Sequence, residues 1–323
     1  MAEKELRIGL LTSGGDAPGM NAVIRAVVRT AAHLGMRVYG IKTGYDGLFK
    51  GDIDEMTPDD VSGIIHRGGT ILRTARCPEM MTEEGQAKAA EICKVLRLDA
   101  VVVIGGDGSF KGAESLSRQG VSVIAIPATI DLDMDCSEYT IGFDSAVNTA
   151  ANAIIHIRDT SSSHERCSVV EVMGRNAGYL ALWCGLTGGA EEVLIPENPI
   201  DVNSVIEQIL RNRAKGKRHN LIVVAEGIGG SDELASEIER VLGIESRATV
   251  LGHLQRGGTP SGVDRMHATV MGYIAVEAIK NGELNKAVVY KDGKHKLIDL
   301  TEALATKKEY DPKMYEITKI MAI

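Results

Sequence analysis

The chain has 323 residues, 44% of them hydrophobic, which is enough for a large core divided between two lobes. Its formal net charge of −8, with no basic tail and no basic stretch interleaved with aromatics, excludes nucleic-acid binding. No apolar stretch suffices to span a membrane and no signal peptide is visible. Cys77, Cys93, Cys136, Cys167 and Cys184 show no CxxC or metal spacing, so the reading is a soluble cytoplasmic protein with free thiols.

Short apolar runs alternate with amphipathic stretches, the pattern of βαβ units in an α/β fold. Predicted strands are Ile8–Leu11, Val38–Ile41, Val101–Ile104, Val121–Ile126, Ser168–Val172, Val193–Ile195 and Leu221–Ala225. The first runs into Thr12-Ser13-Gly14-Gly15-Asp16-Ala17-Pro18-Gly19, where Asp16 is placed to cap a helix and Pro18 suits its first turn. Met20, Val23, Ile24, Val27 and Val28 form the buried stripe of that helix. Arg25 and Arg29, four apart, share another face. The strand series divides near residues 138–145. This predicts two doubly wound lobes with mainly parallel sheets, 1–140 plus about 257–303 and about 141–256 plus 304–323. Gly257-Gly258-Thr259-Pro260 reads as the return crossing, and the chain closes with a short helical segment, Leu300–Lys308, and a polar end.

The chemistry concentrates after two consecutive strands. Ala100-Val101-Val102-Val103-Ile104 stops on Gly105-Gly106-Asp107-Gly108-Ser109, an apolar run ending on glycines that bracket one acid. Such a run suits a strand buried on both faces, and the glycines let a phosphate approach the backbone. Asp107 suits a Mg²⁺ that arrives with a nucleotide, while amides at Gly106, Gly108 and Ser109 open the next helix toward phosphate oxygens. A simple capped turn weighs about equally for this motif alone, which lipid kinases and NAD kinases also carry. After the next strand comes Thr129-Ile130-Asp131-Leu132-Asp133. In extended chain Asp131 and Asp133 share a face, an arrangement that needs a metal, an arginine or a proton to offset repulsion. One of them suits a general base. A solvated acidic turn is the plainer alternative.

Further along stand Arg166, then Met173-Gly174-Arg175, Glu226, Arg247 and Gly252-His253-Leu254-Gln255-Arg256-Gly257-Gly258. Arg175 and Glu226 each lie just past an apolar strand, where α/β sheets place ligand contacts. Several arginines in a net-acidic chain suit a phosphate dianion, and His253 and Glu226 suit sugar hydroxyls. Taken singly, each arginine reads better as a surface ion pair.

With these motifs together the chain resembles bacterial ATP-dependent 6-phosphofructokinases. The likeness rests on Leu11–Asn21, Gly105–Ser109, Thr129–Asp131, Asp159–His164, Val172–Arg175 and Gly252–Gly258. It implies phosphoryl transfer from MgATP to the 1-hydroxyl of fructose 6-phosphate. By the same resemblance Gly15, Arg76, Cys77, Gly106, Asp107, Gly108 and Ser109 line the ATP site, with Asp107 on Mg²⁺. Asp131 takes the proton, Thr129 touches phosphate, and Arg175 joins them in catalysis. Ile130, Met173, Gly174, Arg175, Glu226, His253, Leu254, Gln255 and Arg256 hold the sugar phosphate, while Arg166 and Arg247 reach in from a neighbouring subunit of a homotetramer. Arg25, Arg29, Arg158, Gly189, Glu191, Lys215, Lys217, Arg218 and His219 fall on an effector site for ADP and phosphoenolpyruvate.

Two positions depart from that pattern. Ala128 stands where the family usually has glycine and pyrophosphate-dependent relatives usually have lysine. Leu132 stands where it usually has asparagine. Both bear on rate and local geometry, not on the class of reaction. Gly108, where pyrophosphate users carry an acid, and Ala128 favour ATP. A pyrophosphate-dependent enzyme and a catalytically weak sugar-phosphate sensor are the alternatives.

Overall fold

The computed structural model of the chain describes residues 5–307 and 310–322. Its strands are β1 (Arg7–Ser13), β2 (Arg37–Ile41), β3 (Ile53–Met56), β4 (Ala100–Gly105), β5 (Val123–Thr129), β6 (Ile141–Gly142), β7 (Cys167–Val172), β8 (Glu192–Leu194), β9 (Asn220–Ala225), β10 (Ser246–Val250), β11 (Lys286–Lys291) and β12 (Lys294–Asp299). Its helices are α1 (Met20–His33), α2 (Tyr45–Lys50), α3 (Glu83–Val95), α4 (Asp107–Arg118), α5 (Phe143–His164), α6 (Tyr179–Gly188), α7 (Val202–Ala214), α8 (Ser231–Leu242), α9 (Gly262–Lys280), α10 (Leu300–Ala305) and α11 (Lys313–Met321). The chain divides into two compact units. Among the described residues the first holds 5–129, 134–145 and 256–307, and the second 130–133, 146–255 and 310–322.

In the first unit the sheet order is β12-β11-β5-β4-β1-β2-β3, with β6 beside β5. The pairs from β11 to β2 are parallel, and antiparallel β12 and β3 close the two edges. Every residue of β4 is buried, as expected of a strand covered on both faces by helices. Leu11, Val101, Val103, Phe110, Leu116 and Val123 belong to one continuous core, which ties the strands that bear the ligand loops to α4. In the second unit four parallel strands run in the order β10-β7-β9-β8. Their core includes Cys167, Val169, Ile209, Ile222, Val224 and Ile238. Both sheets are mainly parallel and the chain is α/β, as the periodicity of apolar runs predicts.

The seven predicted strands correspond to β1, β2, β4, β5, β7, β8 and β9. Of the strands that reading leaves out, β3 and β6 are short and β10 and β12 are part-exposed edges, as Lys-His-Lys-Leu-Ile-Asp shows in β12. By contrast, β11 is an internal strand whose buried Ala287-Val288-Val289 centre is flanked by lysines. Two expectations need correction. Asp16 does not cap α1; the helix starts at Met20, and its N-cap is Gly19 with φ of 107°, a left-handed conformation that glycine adopts without strain. The helical segment expected over Leu300–Lys308 stops at Ala305 as α10, and the polar end after it carries a further helix, α11. Lys308 lies outside the described residues. The signal for α11 is tertiary: Glu192 of β8, nearly fully buried, accepts hydrogen bonds from Tyr315 and Lys319 on that helix. Among the described residues no helix is long and apolar enough to cross a membrane.

Candidate active site

In the first unit, β4 ends at Gly105 and α4 begins at Asp107, with Gly106 as its N-cap. The Ser109 amide donates to the Gly106 carbonyl at 2.9 Å, so it serves the helix. Asp107 and Gly108 keep the amides of the open helix end, which favours anions. The Asp107 carboxylate is 45% exposed and pairs with Lys111, one turn on, at 2.6 Å. After β1, a Cβ built on Gly15 would stand 1.8 Å from Nη1 of Arg256, so only glycine admits the guanidinium there. Arg256 thus lies against the glycine loop of this unit. Thr74 donates to the Gly14 carbonyl at 2.6 Å and draws the following Arg76-Cys77 segment toward that loop. Arg76 is exposed. Cys77 is half-buried, and burial pushes its thiol pKa up.

Parallel pairing of β4 with β5, in the register Gly105↔Pro127, makes both strands end at one sheet edge. The turn bearing Asp107 and the turn that begins at Thr129 therefore start side by side. Ala128 is fully buried, and the Thr129 carbonyl accepts a hydrogen bond from Thr140 at 2.7 Å. Ile130 and Asp131 are 1% and 3% exposed. Leu132 is 7% exposed with φ of 54°. This left-handed residue overturns the expectation that Asp131 and Asp133 share a face of extended chain, because strand alternation stops between them.

In the second unit, Asp133 pairs with Arg175 Nη1 at 3.3 Å. Gly174 and Arg175, just past β7, have φ of 134° and 53°. Glu226, just past neighbouring β9, holds this turn: its Oε1 accepts from the amides of Gly174 at 3.2 Å and Arg175 at 2.7 Å. The amide of Met173 donates to Gln255 Oε1 at 3.3 Å, and Gln255 Nε2 donates to the Gly252 carbonyl at 3.0 Å. Gln255 is fully buried, so it fixes the backbone on which exposed His253 and Leu254 stand. Met173, Gly174, Arg175 and Glu226 therefore gather at the carboxyl edge of the sheet.

Arg166 and Arg247 lie at the other edge. Arg166 precedes β7, and Arg247 pairs in register with Ser168 near the start of that strand. A six-residue strand separates them from Met173, about 20 Å at ~3.3 Å per residue. Both arginines meet Glu245, at 2.7 and 3.0 Å, and their charges, Arg166 first, hold its carboxyl below the usual range.

The residues matched to an effector site form two groups. Arg25 and Arg29 stand together on α1, where burial and the neighbouring charge lower the pKa of Arg25. In the second unit Arg158 donates to the carbonyls of Gly188 at 2.8 Å and Gly189 at 3.3 Å. Glu191, 2% exposed, pairs with Lys217 at 2.7 Å and accepts from the amide of Leu221. Arg218 pairs with Glu165 at 2.9 Å, Lys215 is exposed and His219 is half-buried.

Glu245, Lys111 and the Asp133–Arg175 pair are absent from the sequence reading. Only Lys111 carries a local signal, its i,i+4 spacing from Asp107. Among the described residues no cluster of three or more His, Cys, Asp or Glu side chains can hold a metal.

The family model described as Phosphofructokinase matches residues 7–279 of this chain. The chain belongs to the phosphofructokinase family. It is 54% identical over 315 residues to the ATP-dependent 6-phosphofructokinase of Clostridium botulinum, covering 98% of this chain and 99% of that protein. The phosphofructokinase structure from Saccharomyces cerevisiae superposes on 99% of this chain at a TM-score of 0.86 and 33% identity. This chain spans about half of that one, 48%. A pyrophosphate-dependent phosphofructokinase from Marinobacter aquaeolei, at 23% identity and a TM-score of 0.85 over 95% of this chain and 86% of that one, shares the phosphofructokinase fold.

Proposed function

We propose that the chain transfers a phosphoryl group from MgATP to the 1-hydroxyl of fructose 6-phosphate, giving fructose 1,6-bisphosphate and ADP. The observation that carries this reading is Asp131, a carboxylate 3% exposed, two residues past the end of a strand whose neighbour opens onto the Asp107 turn. A solvated acidic loop would leave it in water. In this reading Asp131 accepts the proton of the attacking hydroxyl, which contributes typically ~10²–10⁴-fold. Arg175, steered by Asp133 and by Glu226, offsets charge on the transferring group. Glu226 Oε2 and His253 take sugar hydroxyls, and Thr129, Ile130 and Met173 line the acceptor. Gln255 positions the turn that carries His253 and Leu254.

The donor is held by Gly15, Arg76, Cys77, Gly106, Gly108 and Ser109. Asp107 suits Mg²⁺: a half-exposed carboxylate at the start of α4 fits a cation that keeps water and phosphate as its other ligands. When bound, that ion supplies charge neutralisation on the phosphates. The packing of the Arg256 guanidinium against Gly15 supports assigning it to the phosphoryl oxygens. Gly108 and Ala128, which supply neither acid nor lysine, support ATP over pyrophosphate.

The distance of Arg166 and Arg247 from the carboxyl edge supports their serving a neighbouring subunit, hence a homotetramer. The Arg25–Arg29 and Arg158–His219 groups are assigned to ADP and phosphoenolpyruvate as effectors. Five free cysteines suit a reducing, cytoplasmic setting. The test is Asp131→Asn, assayed by ADP release with fructose 6-phosphate and again with pyrophosphate as donor for the parent chain. Turnover falls ~10²–10⁴-fold while sugar phosphate binding stays within a few-fold. Near-normal turnover in the variant, or pyrophosphate outperforming ATP in the parent, overturns the reading.

A further inference from the structure

Glu245 is assigned no role by the reading above, yet it is where the two arginines of the amino edge converge. Arg166 Nε stands 2.7 Å from Oε2, and Arg247 Nη2 stands 3.0 Å from Oε1. Each carboxylate oxygen takes one guanidinium, the arrangement in which two oxygens of a phosphate would receive the same pair. The backbone holds the three in place. The Cys167 amide donates to the Glu245 carbonyl at 3.0 Å, the Asn220 amide donates to the Arg166 carbonyl at 3.2 Å, and Arg247 is paired in the sheet opposite Ser168. The side chains are reached by solvent, that of Arg166 being 31% exposed, Glu245 39% and Arg247 70%.

We propose that Glu245 is an internal stand-in for the phosphate of the sugar substrate. It keeps Arg166 and Arg247 together in the empty enzyme and gives them up when a phosphate dianion arrives. The proposal rests on the reading that these two arginines bind the sugar phosphate. Its physical basis is competition between anions. A half-exposed ion pair is weak, so a dianion displaces a monoanionic carboxylate, but each pair broken subtracts from the affinity of the newcomer. Glu245 therefore sets the concentration of sugar phosphate at which the site fills, and does so without touching the ATP side.

The test is Glu245→Gln, which keeps the side chain's size and removes its charge. Half-saturation by fructose 6-phosphate falls by about three- to tenfold, while turnover and half-saturation by ATP are unchanged. Glu245→Asp, which keeps the charge but shortens its reach, lies between Gln and the parent. Arg166→Ala and Arg247→Ala are measured alongside, and each raises half-saturation by fructose 6-phosphate. If those two behave so while Glu245→Gln leaves the value unchanged or raises it, Glu245 only braces the arginines and the stand-in is refuted. If the arginine variants leave it unchanged, the arginines are not phosphate ligands and the underlying reading falls with the proposal.

Discussion

Leu132 is the residue where local preference and packing disagree most openly. Its φ of 54° is a region that costs an L-amino acid roughly 1–2 kcal/mol, and asparagine tolerates it better than leucine. Against this stands burial of the side chain, 7% exposed, worth about 1.5–3 kcal/mol. Burial is the larger of the two, which accounts for leucine holding a strained position. The usual ranking of small residues should therefore invert here. Leu132→Gly relieves the backbone and Leu132→Ala does not, so the glycine variant should unfold about 1 kcal/mol later than the alanine variant in a denaturant titration. An alanine variant at least as stable as the glycine one would mean that the backbone relaxes out of the left-handed region. The sequence shows a leucine between two acids, but a φ angle has no signature in a single apolar letter.

At the scale of elements, α9 meets the β11–β12 hairpin through a cluster with no sequence motif. His267 on α9 stacks on Tyr139 with ring centroids 4.1 Å apart, and its Nδ1 lies 2.9 Å from Nε2 of His295 on β12. Tyr290 of β11 meets both imidazoles edge-on, and Asp264 accepts from Tyr139. Burial, then the charge of His295, pushes the pKa of His267 down from 6.5 to about 4, with Asp144 opposing. Below pH 6.5 the unfolded chain takes up a proton that the folded chain refuses until about pH 4. Stability present above pH 6.5 is therefore lost as pH falls toward 4. The thermal midpoint of the parent should drop across this window, and His267→Gln, which cannot charge, should drop less; equal slopes would remove His267 from the account. His295, whose pKa burial also lowers, keeps part of the slope. Buried central strands such as β4 were legible as unbroken apolar runs. The histidine pair was not, because α9 and β12 approach only through the fold.

For the whole molecule, the placement of arginines on opposite edges of the four-stranded sheet has a consequence for assembly. Arg175 and Glu226 follow strands, whereas Arg166 precedes one and Arg247 sits near the start of another. On the reading that the second pair serves a neighbour, two defective chains can repair each other. Asp131→Asn and Arg247→Ala are each impaired alone. Coexpressed, a subunit with intact Asp131 receives Arg247 from its Asp131→Asn neighbour, so activity at low fructose 6-phosphate should exceed the sum of the two. A strictly additive result would place all catalytic groups within one chain.

By itself the sequence determined the α/β class, the strands that are buried on both faces, and where the glycine and acid turns fall along the chain. These depend on local runs and spacings, which a single chain displays directly. Only the tertiary structure decided that Asp131 and Asp133 part at a left-handed leucine and that Glu226 holds the Arg175 turn. It also decided that Glu245 gathers two arginines eighty-one positions apart, Arg166 and Arg247. Those facts arise where distant segments meet, and pairing across that distance is set by sheet register and burial rather than by neighbours in the chain.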